Sequence, residues 1–177
     1  SARTDLLDTS DSITINDTSD GSGQYMVGYL NSSSAQTVQW TCPSYVTSIC
    51  VLCIGGGGGG DNGLGNYAGG GGGLAWRNNI SVTPGQSYTI TVGHGGNGGH
   101  STYIGTNGQD GGDSYMHAFS NILIARGGGG GGTSNGVGGG YTGQGGGTGG
   151  NGGNGSQGNG AGGGGAAGYS GNGGNGG

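Results

Sequence analysis

The sequence contains no lysine and no glutamate, and its basic side chains are limited to Arg3, Arg77 and Arg126. A basic surface for the phosphate backbone is therefore missing, which argues against nucleic acid as a partner. A phosphate-binding P-loop is excluded as well, because that motif requires a lysine. Five of the eight acidic residues lie within residues 1–20, so the remainder of the chain is almost neutral.

Apolar side chains are also scarce, at 28% of the 177 residues, while 57 residues are glycine. Globular domains usually contain about 45–50% apolar residues with glycine included, and since glycine is about 7% of these domains, roughly 40% of their residues carry an apolar side chain. The longest apolar run, residues 49–54, is too short to cross a membrane, so we expect no membrane insertion. A conventional core cannot order this whole chain, because glycine contributes no apolar side chain and loses the most backbone freedom on folding.

The apolar residues that are present are patterned as in β-strands. Residues 37–42 and 86–92 alternate between apolar and polar, which predicts two half-buried strands. Residues 48–54 predict a more fully buried strand, and residues 121–126 predict a further short one. No stretch of ten residues has convincing helical periodicity, so the apolar part is predicted to be all-β.

A turn is predicted between two of these apolar stretches. Pro84 and Gly85 suit the two central positions of a type II turn. Residues 80–82 lead into this turn and residues 86–92 follow it. The pair is therefore predicted to form a β-hairpin.

Glycine recurs at every third position from Gly140 to Gly158 and, after a slip of one residue, from Gly162 to Gly177; a similar row runs from Gly93 to Gly111. Three residues is the repeat of the polyproline II helix, which has no internal hydrogen bonds. A row of glycines would let neighbouring helices approach until their backbone N–H and C=O groups bond to each other. This predicts a packed bundle or layer of polyglycine II helices, and a flexible glycine linker is the alternative.

The N-terminal residues 1–23 are polar and acidic, with one strand-like island formed by Ser12, Ile13, Thr14, Ile15 and Asn16. We interpret this segment as an extended arm that can pair with another chain. A disordered terminus is the alternative.

Four stretches in order carry a resemblance to a known family: "WTCPSYVTSICVLCIGGGGGG", "GGGGGLAWRNNISVTPGQSYTITVGHGG", "GGDSYMHAFSNILIARGGGGGG" and "GGGGAAGYSGNGGNGG". Together they resemble the glycine-rich domain of phage tail-fibre and cell-surface proteins, over roughly residues 40–177. The resemblance implies a small, jelly-roll-like β-sandwich combined with polyglycine II segments, and a structural or adhesive role in extracellular fibres. We accordingly expect an arm (1–23), a β-sandwich with glycine-rich insertions (24–126) and a polyglycine II region (127–177).

The sequence departs from this family in one respect that suggests self-assembly. Family members usually return from the glycine tract into a closing strand, whereas this sequence runs to "GNGGNGG". A sandwich that lacks an edge strand invites pairing with another chain. We therefore expect the arm residues Ser12–Asn16 to add a strand to a neighbouring copy.

Few residue patterns in the sequence point to chemistry. His94, His100, His117, Asp110 and Asp113 have no spacing of a metal site, so we expect neither a metal nor another cofactor. The nucleophile elbow G-x-S-x-G is absent, and we expect no catalytic residues.

The three cysteines predict different environments. Cys42 and Cys53 fall on the inward phase of their strands and are expected to form an intrachain disulfide in an extracellular setting, while Cys50 faces outward and is available for a link between subunits. The alternative is that all three are small buried apolar residues.

Two further surface features concern modification and ligands. Asn16 and Asn31 are the sequons expected to be accessible for glycosylation. Tyr67 and Tyr103, in the loops 61–67 and 101–110, are aromatic surfaces that suit contact with sugars.

The expected function is that of a non-enzymatic structural subunit of an extracellular, cell-surface or virion filament, with copies of itself as partners. A phage tail-fibre adhesin that displays loops to cell-surface glycans is the second reading. Ice binding is a third, which the irregular mixture of Asn, Thr, Ser and Gln in the tail disfavours.

Overall fold

The computed structural model describes residues 34–63, 66–100, 106–118, 121–155 and 161–177. The predicted arm Ser12–Asn16, both accessible sequons and Tyr103 lie outside these residues. The described part has eight strands in two antiparallel sheets and no helix. The expected all-β class is therefore confirmed, and the two sheets form a small sandwich.

One sheet has five strands in the order β1-β4-β5-β6-β7, and the other has three in the order β2-β3-β8. The strands are β1 (Gln36–Thr41), β2 (Ser48–Ile54), β3 (Leu74–Ser81), β4 (Ser87–Val92), β5 (Ser114–Ala118), β6 (Asn121–Ala125), β7 (Tyr141–Thr142) and β8 (Gly145–Gly147). Two strands, β7 and β8, come from the glycine-rich tail, so the tail does return to both sheets.

The core of the sandwich consists of two clusters of different composition. Trp40, Tyr88 and Met116 form the centre of the larger cluster, and the centroids of the Trp40 and Tyr88 rings are 5.9 Å apart. The smaller cluster, next to the glycine segments, contains Cys53, Ala75, Leu123 and Ala125. Apart from Leu123, the core beside the glycine segments is therefore built from small side chains.

Strand β2 has the bounds that the sequence predicts but not the burial. Cys53 is buried, whereas Leu52 and Ile54 are about half exposed, at 49% and 51%. The expectation of a more fully buried strand is wrong, because β2 is the edge of its sheet and presents alternate side chains to its outer face.

The predicted turn is present, but the predicted hairpin is wrong. Gln86 N–H donates to Thr83 C=O at 3.1 Å, and Gly85 has the positive φ of 77° that a type II turn requires. However, β3 pairs with β2 and β8, while β4 pairs with β1 and β5. The turn thus carries the chain from one sheet to the other, which adjacency in sequence cannot reveal.

Beyond the smaller core cluster, the strands continue as extended glycine-rich segments. In the described part there are nine: I (55–62), II (67–73), III (93–100), IV (106–113), V (126–132), VI (135–140), VII (148–155), VIII (161–167) and IX (171–177). Segments I, III, V and VII lead away from strands, and II, IV and VI lead back into them. A turn at residues 168–171 returns VIII to IX.

The segments bond to one another at intervals of three residues. Residues 55, 58 and 61 of segment I donate backbone hydrogen bonds of 2.8–2.9 Å to segment II, and residues 56, 59 and 62 donate to segment IV. Residues 57 and 60 accept from segment III. This spacing is that of polyglycine II helices that satisfy their backbone groups between helices, as the glycine register predicts.

Glycine is required in the bundle because a side chain would have no room, and not because the backbone has positive φ angles. An added Cβ at Gly58 would overlap the carbonyl oxygen of Gly129, and one at Gly59 would overlap that of Asn97. Among the described glycines, Gly85 in the turn is alone in having a positive φ. Other residues could therefore adopt the backbone conformation found in the bundle if their side chains had room.

The number of glycine rows in a segment follows its position in the bundle. Segments I, II and V contain the uninterrupted runs 55–60, 69–73 and 127–132, and each is bonded to at least four other segments. Outer segments replace one row with Asn, Thr or Ser, as Thr148 and Asn151 do on segment VII.

The sequence identifies the period correctly but does not reveal which glycine rows are buried. Segments I–IV lie before residue 127, so one bundle draws on both predicted glycine-rich parts of the chain. In segment IX the predicted row 171, 174, 177 faces open space, and the row 173, 176 packs against segment VIII. A sequence with glycine in two rows does not reveal which row is buried.

Replacing an inner glycine should unfold the bundle, whereas replacing an outer one should not. We expect Gly58→Ala to lower the free energy of unfolding by ~3 kcal/mol or more, because backbone rather than a flexible side chain blocks the new methyl group. Gly95→Ala is the matched control, since no heavy atom lies within 4 Å of a Cβ there. Denaturant unfolding followed by tryptophan fluorescence measures both, and equal stabilities would contradict the packing.

Candidate functional site

The two sheets differ in the chemistry of their outer faces. On β1 and β4 polar side chains pair across the strands, with Thr37 bonded to Thr91 at 3.1 Å and Gln39 bonded to Thr89 at 2.8 Å. On β2 and β3 the outer face is apolar and carries Leu52, Ile54 and Trp76. The outer face of the three-stranded sheet is therefore the candidate for contact with another apolar surface.

The turn between segments VIII and IX covers part of this apolar face. The Tyr169 ring stacks on Trp76 with a centroid distance of 5.3 Å, and Tyr169 remains 59% exposed. Gly145 allows this arrangement, because an added Cβ there would overlap the Trp76 ring. Trp76 and Tyr169, together with Leu52 and Ile54, form what we call the apolar face.

The strand β2 at the border of the apolar face has an open side. It pairs with β3, and the described strands provide no partner on its other side. An edge strand presents unpaired N–H and C=O groups, which are a template for a further strand. Seven residues of edge, Ser48–Ile54, are available in this way.

The far end of the bundle brings together the ends of several segments. Segment I ends beside the start of II, where Asp61 N–H donates to Tyr67 C=O and Tyr67 N–H donates to Asp61 Oδ1, both at 2.9 Å. Tyr67 also bridges to Asn154 of segment VII. The structure therefore places Tyr67, one predicted ligand contact, at this end in a half-buried and hydrogen-bonded position.

The cysteines do not form the arrangement expected for a disulfide. All three thiols are free, with Cys42 and Cys53 buried and Cys50 exposed. Cys42 lies at the end of β1 in the larger core cluster and Cys53 lies on β2 in the smaller one, so their strands are in different sheets. Both thiols face inward as expected, but they belong to different core clusters, and Cys50 is exposed as its outward phase predicts.

Asp110 and Asp113 have a structural role that the sequence reasoning missed. They lie three residues apart on segment IV, and their Oδ1 atoms accept hydrogen bonds from Gly130 N–H at 2.7 Å and Gly127 N–H at 2.9 Å. Asp113 also lies 3.8 Å from Arg126, an exposed pair that contributes little. These carboxylates cap outward-facing N–H groups of segment V.

Asparagines do the same on the opposite side of the bundle. Asn151 Oδ1 accepts from Gly138 N–H at 2.9 Å, and Asn172 and Asn175 accept from the N–H groups of Thr148 and Asn151 at 3.0 and 2.9 Å. The signal for this role was available in the sequence as Asn or Asp at intervals of three within glycine repeats.

The histidines considered as metal ligands lie in separate surroundings. His94 Nδ1 bonds to the neighbouring Gly95 carbonyl at 2.8 Å, and the His117 ring lies 5.1 Å from Tyr115 on β5. In the described ranges no group of three His, Cys, Asp or Glu side chains is placed to hold a metal ion. The same ranges contain no helix long and apolar enough to cross a membrane.

Comparison with known families agrees with this architecture. A family described as a glycine-rich domain matches residues 32–177, which is most of the chain. The chain therefore belongs to this glycine-rich domain family. A comparison with curated proteins finds no match.

Removing the asparagine caps should loosen the outer segment without unfolding the sandwich. We expect the double variant Asn172→Ala/Asn175→Ala to lose about 1 kcal/mol per hydrogen bond locally. The amides of Thr148 and Asn151 should then exchange faster with deuterium. Asn154→Ala is the control, because Asn154 is an exposed asparagine of the same bundle. Unchanged exchange at residues 148 and 151 would contradict the capping role.

The thiols should differ in reactivity and in their effect on stability. In the native protein we expect a maleimide to label Cys50 and to spare Cys42 and Cys53 until unfolding. Burial raises the pKa of the Cys53 thiol from 9.0 to about 11. The raised pKa contributes stability that is present below pH 9.0 and is lost as the pH rises toward about 11.

The Cys53→Ala variant isolates this contribution. Its free energy of unfolding should fall less steeply than that of the wild type between pH 9 and 11, because the variant lacks the thiol whose pKa is raised by burial. Parallel pH profiles in denaturant titrations would contradict the assignment.

Proposed function

We propose that this chain is a non-enzymatic structural subunit of an extracellular or surface filament. Successive copies join head to tail when residues 12–16 of one copy add a strand to the sandwich of the next. The observation that carries this proposal is the open edge of β2 beside the apolar face.

The dimensions of the edge suit the arm. The edge offers the seven residues Ser48–Ile54, and the strand-like island Ser12–Asn16 contains five with alternating apolar side chains. In β-augmentation the main-chain hydrogen bonds supply affinity, and alternate side chains supply specificity. Ile13 and Ile15 would fall on one face of the added strand and meet the apolar side chains of the sandwich.

The chemistry of the bundle favours a load-bearing role. Its segments are held by backbone hydrogen bonds, most of them 2.8–3.0 Å long, and its composition is almost free of charge. Order here does not depend on ion pairs, which salt would screen. A contact in which the arm of one copy meets the edge of the next is heterologous, and such contacts produce open filaments when the rotation does not close a ring.

Deleting the arm tests the proposal. A protein that begins at residue 24 should keep its unfolding midpoint, because both described core clusters are formed by residues between Trp40 and Ala125, yet form no filaments in electron micrographs. The full-length variant Ile13→Asn/Ile15→Asn should have the same defect. Ser12→Asn/Thr14→Asn, on the other face of the added strand, should still assemble. Filaments without the arm would refute strand exchange.

An adhesin of the phage tail-fibre type is the second candidate. It is favoured by the gathering of segment ends at the far end of the bundle, where Tyr67 is held by Asp61 and bridged to Asn154. In this case the bundle acts as a scaffold and cell-surface glycans are the partners. Glycan binding that Tyr67→Ala abolishes, from particles that do not polymerise, would favour the adhesin over the filament subunit.

A further inference from the structure

The bundle has the geometry of a lattice. A helix with three residues per turn places its N–H groups in three rows about 120° apart, and its C=O groups in three rows between them. Each helix can therefore bond to six neighbours. Within the described part of the chain, segment II is bonded to five: I, V, VI, VII and VIII.

These five neighbours occupy consecutive places around segment II. Segments I and V are bonded to each other, as are V and VI, VI and VII, and VII and VIII. No backbone hydrogen bond joins VIII to I in the described part of the chain. The sixth place around segment II therefore lies between VIII and I, and we call it the open position.

A groove lies at the open position. It has a volume of about 410 Å³ and is lined by residues 57, 58, 60 and 61 of segment I, by residues 67–70 of segment II with the preceding Asn66, and by residues 161, 163 and 164 of segment VIII. At about 3.1 Å per residue, the five residues 57–61 span roughly 12 Å, or more than one turn of a polyglycine II helix.

Backbone groups that have no partner among the described segments belong to the rows that face this groove. In segment II, residues 68 and 71 donate to VII, and residues 70 and 73 donate to V. The third donor row, Gly69 and Gly72, is directed to the open position and forms no backbone bond with the described segments. Both glycines are buried, and an unpaired buried N–H is costly.

Acceptors belong to the other two walls. On segment I the carbonyl groups of residues 56 and 59 accept from V and those of 57 and 60 accept from III, which leaves the row of Gly58 for the groove. By the same geometry, the carbonyl group of Gly164 faces the groove from segment VIII. An incoming helix would therefore find donors on one wall and acceptors on two.

Segment I keeps glycine at positions that face the groove, although no described segment occupies that place. An added Cβ at Gly57 or Gly60 would meet its nearest atom at 3.7 or 3.6 Å, an ordinary contact. At Gly58 and Gly59, which face occupied places, it would overlap backbone. Outward N–H rows of V, VI and VII are capped by Asp or Asn, whereas no side chain in the described ranges caps the row of Gly69.

We propose that segment IX of a second copy of this chain fills the open position as a further polyglycine II helix. Segment IX is bonded to VII and VIII, which leaves four of its six directions open among the described segments. Its row Gly171, Gly174, Gly177 has no heavy atom within 4 Å of an added Cβ. The described part of the chain thus has both a lattice place that none of its segments fills and an outer glycine row that matches it.

The contact would continue the lattice from one copy into the next. The inference extends the proposed function. It rests on that function in one respect, because it assumes that copies of this chain assemble with each other. Because the groove and segment IX are different surfaces, the contact is heterologous and leaves a groove and a segment IX free at the two ends. It uses neither β2 nor the N-terminal arm, so the two contacts can be tested separately.

Paired glycine variants of the full chain test the groove. Gly57→Ala/Gly60→Ala places methyl groups in the open position, and Gly174→Ala/Gly177→Ala places them on the outer row of segment IX; both have room in a single copy. Gly95→Ala is the control, since it also faces open space but lies on segment III. Deuterium exchange of a peptide that covers residues 66–73 is compared between dilute and assembled protein.

In the wild type and in Gly95→Ala, assembly should slow exchange at Gly69 and Gly72 by roughly 10-fold or more. Both paired variants should lose this protection and keep the wild-type unfolding midpoint. Protection that survives Gly57→Ala/Gly60→Ala would overturn the site, and protection that survives Gly174→Ala/Gly177→Ala would overturn the assignment of segment IX.

Electron microscopy of the same samples separates this inference from the proposed function. Filaments in which Gly69 and Gly72 exchange as fast as in dilute protein would overturn the groove contact and leave strand exchange standing. Protection that appears with concentration in the absence of filaments would support the groove contact and count against the filament subunit.

Discussion

The approach of one backbone to another, with no side chain between them, is the constraint on which the rest of this structure depends. Because the backbones lie so close together, their N–H and C=O groups bond directly from one segment to the next. These groups have no partners within a β-sheet or an α-helix. Glycine has the least favourable backbone entropy of any residue, and the hydrogen bonds of each inner segment to several neighbours offset that cost. A single Cβ at an inner position removes the approach and with it the bonds on both sides.

The sandwich and the bundle are two parts of one continuous structure. The larger core cluster contains Trp40, Tyr88 and Met116, and the smaller cluster, next to the glycine segments, contains Cys53 and Ala125. Beyond these residues the strands run on as glycine segments, so the sheet pairing sets the starting register of the bundle. Glycine rows are nearly interchangeable, so the segments alone could not select one hydrogen-bond register. Apolar burial in the small core fixes the first turn of each segment and thereby selects it.

This division explains which features the sequence predicts. Strand β2 has the predicted bounds because its apolar residues follow the polar stretch after Pro43 and end at the glycine run that begins with Gly55. The period of three is visible because outer rows keep Asn and Thr. The partners of β3 and β4 are not predictable from one turn, because Pro84 and Gly85 specify the turn and not the sheet that receives the next strand. The buried row of segment IX is equally hidden, since both 171, 174, 177 and 173, 176 are glycine.

A lattice of this kind has no built-in limit, so its edges must be managed by the chain itself. Asp110, Asp113 and Asn151 accept the outward N–H groups of neighbouring segments and so end the lattice at those edges. In the part of the chain that the structure describes, the row of Gly69 faces the groove without such a cap, although the glycines around it are kept free of side chains. A capped edge prevents the addition of a further helix, whereas an edge without a cap allows it. A self-assembling subunit requires both kinds of edge, because copies must add at one place and not at others.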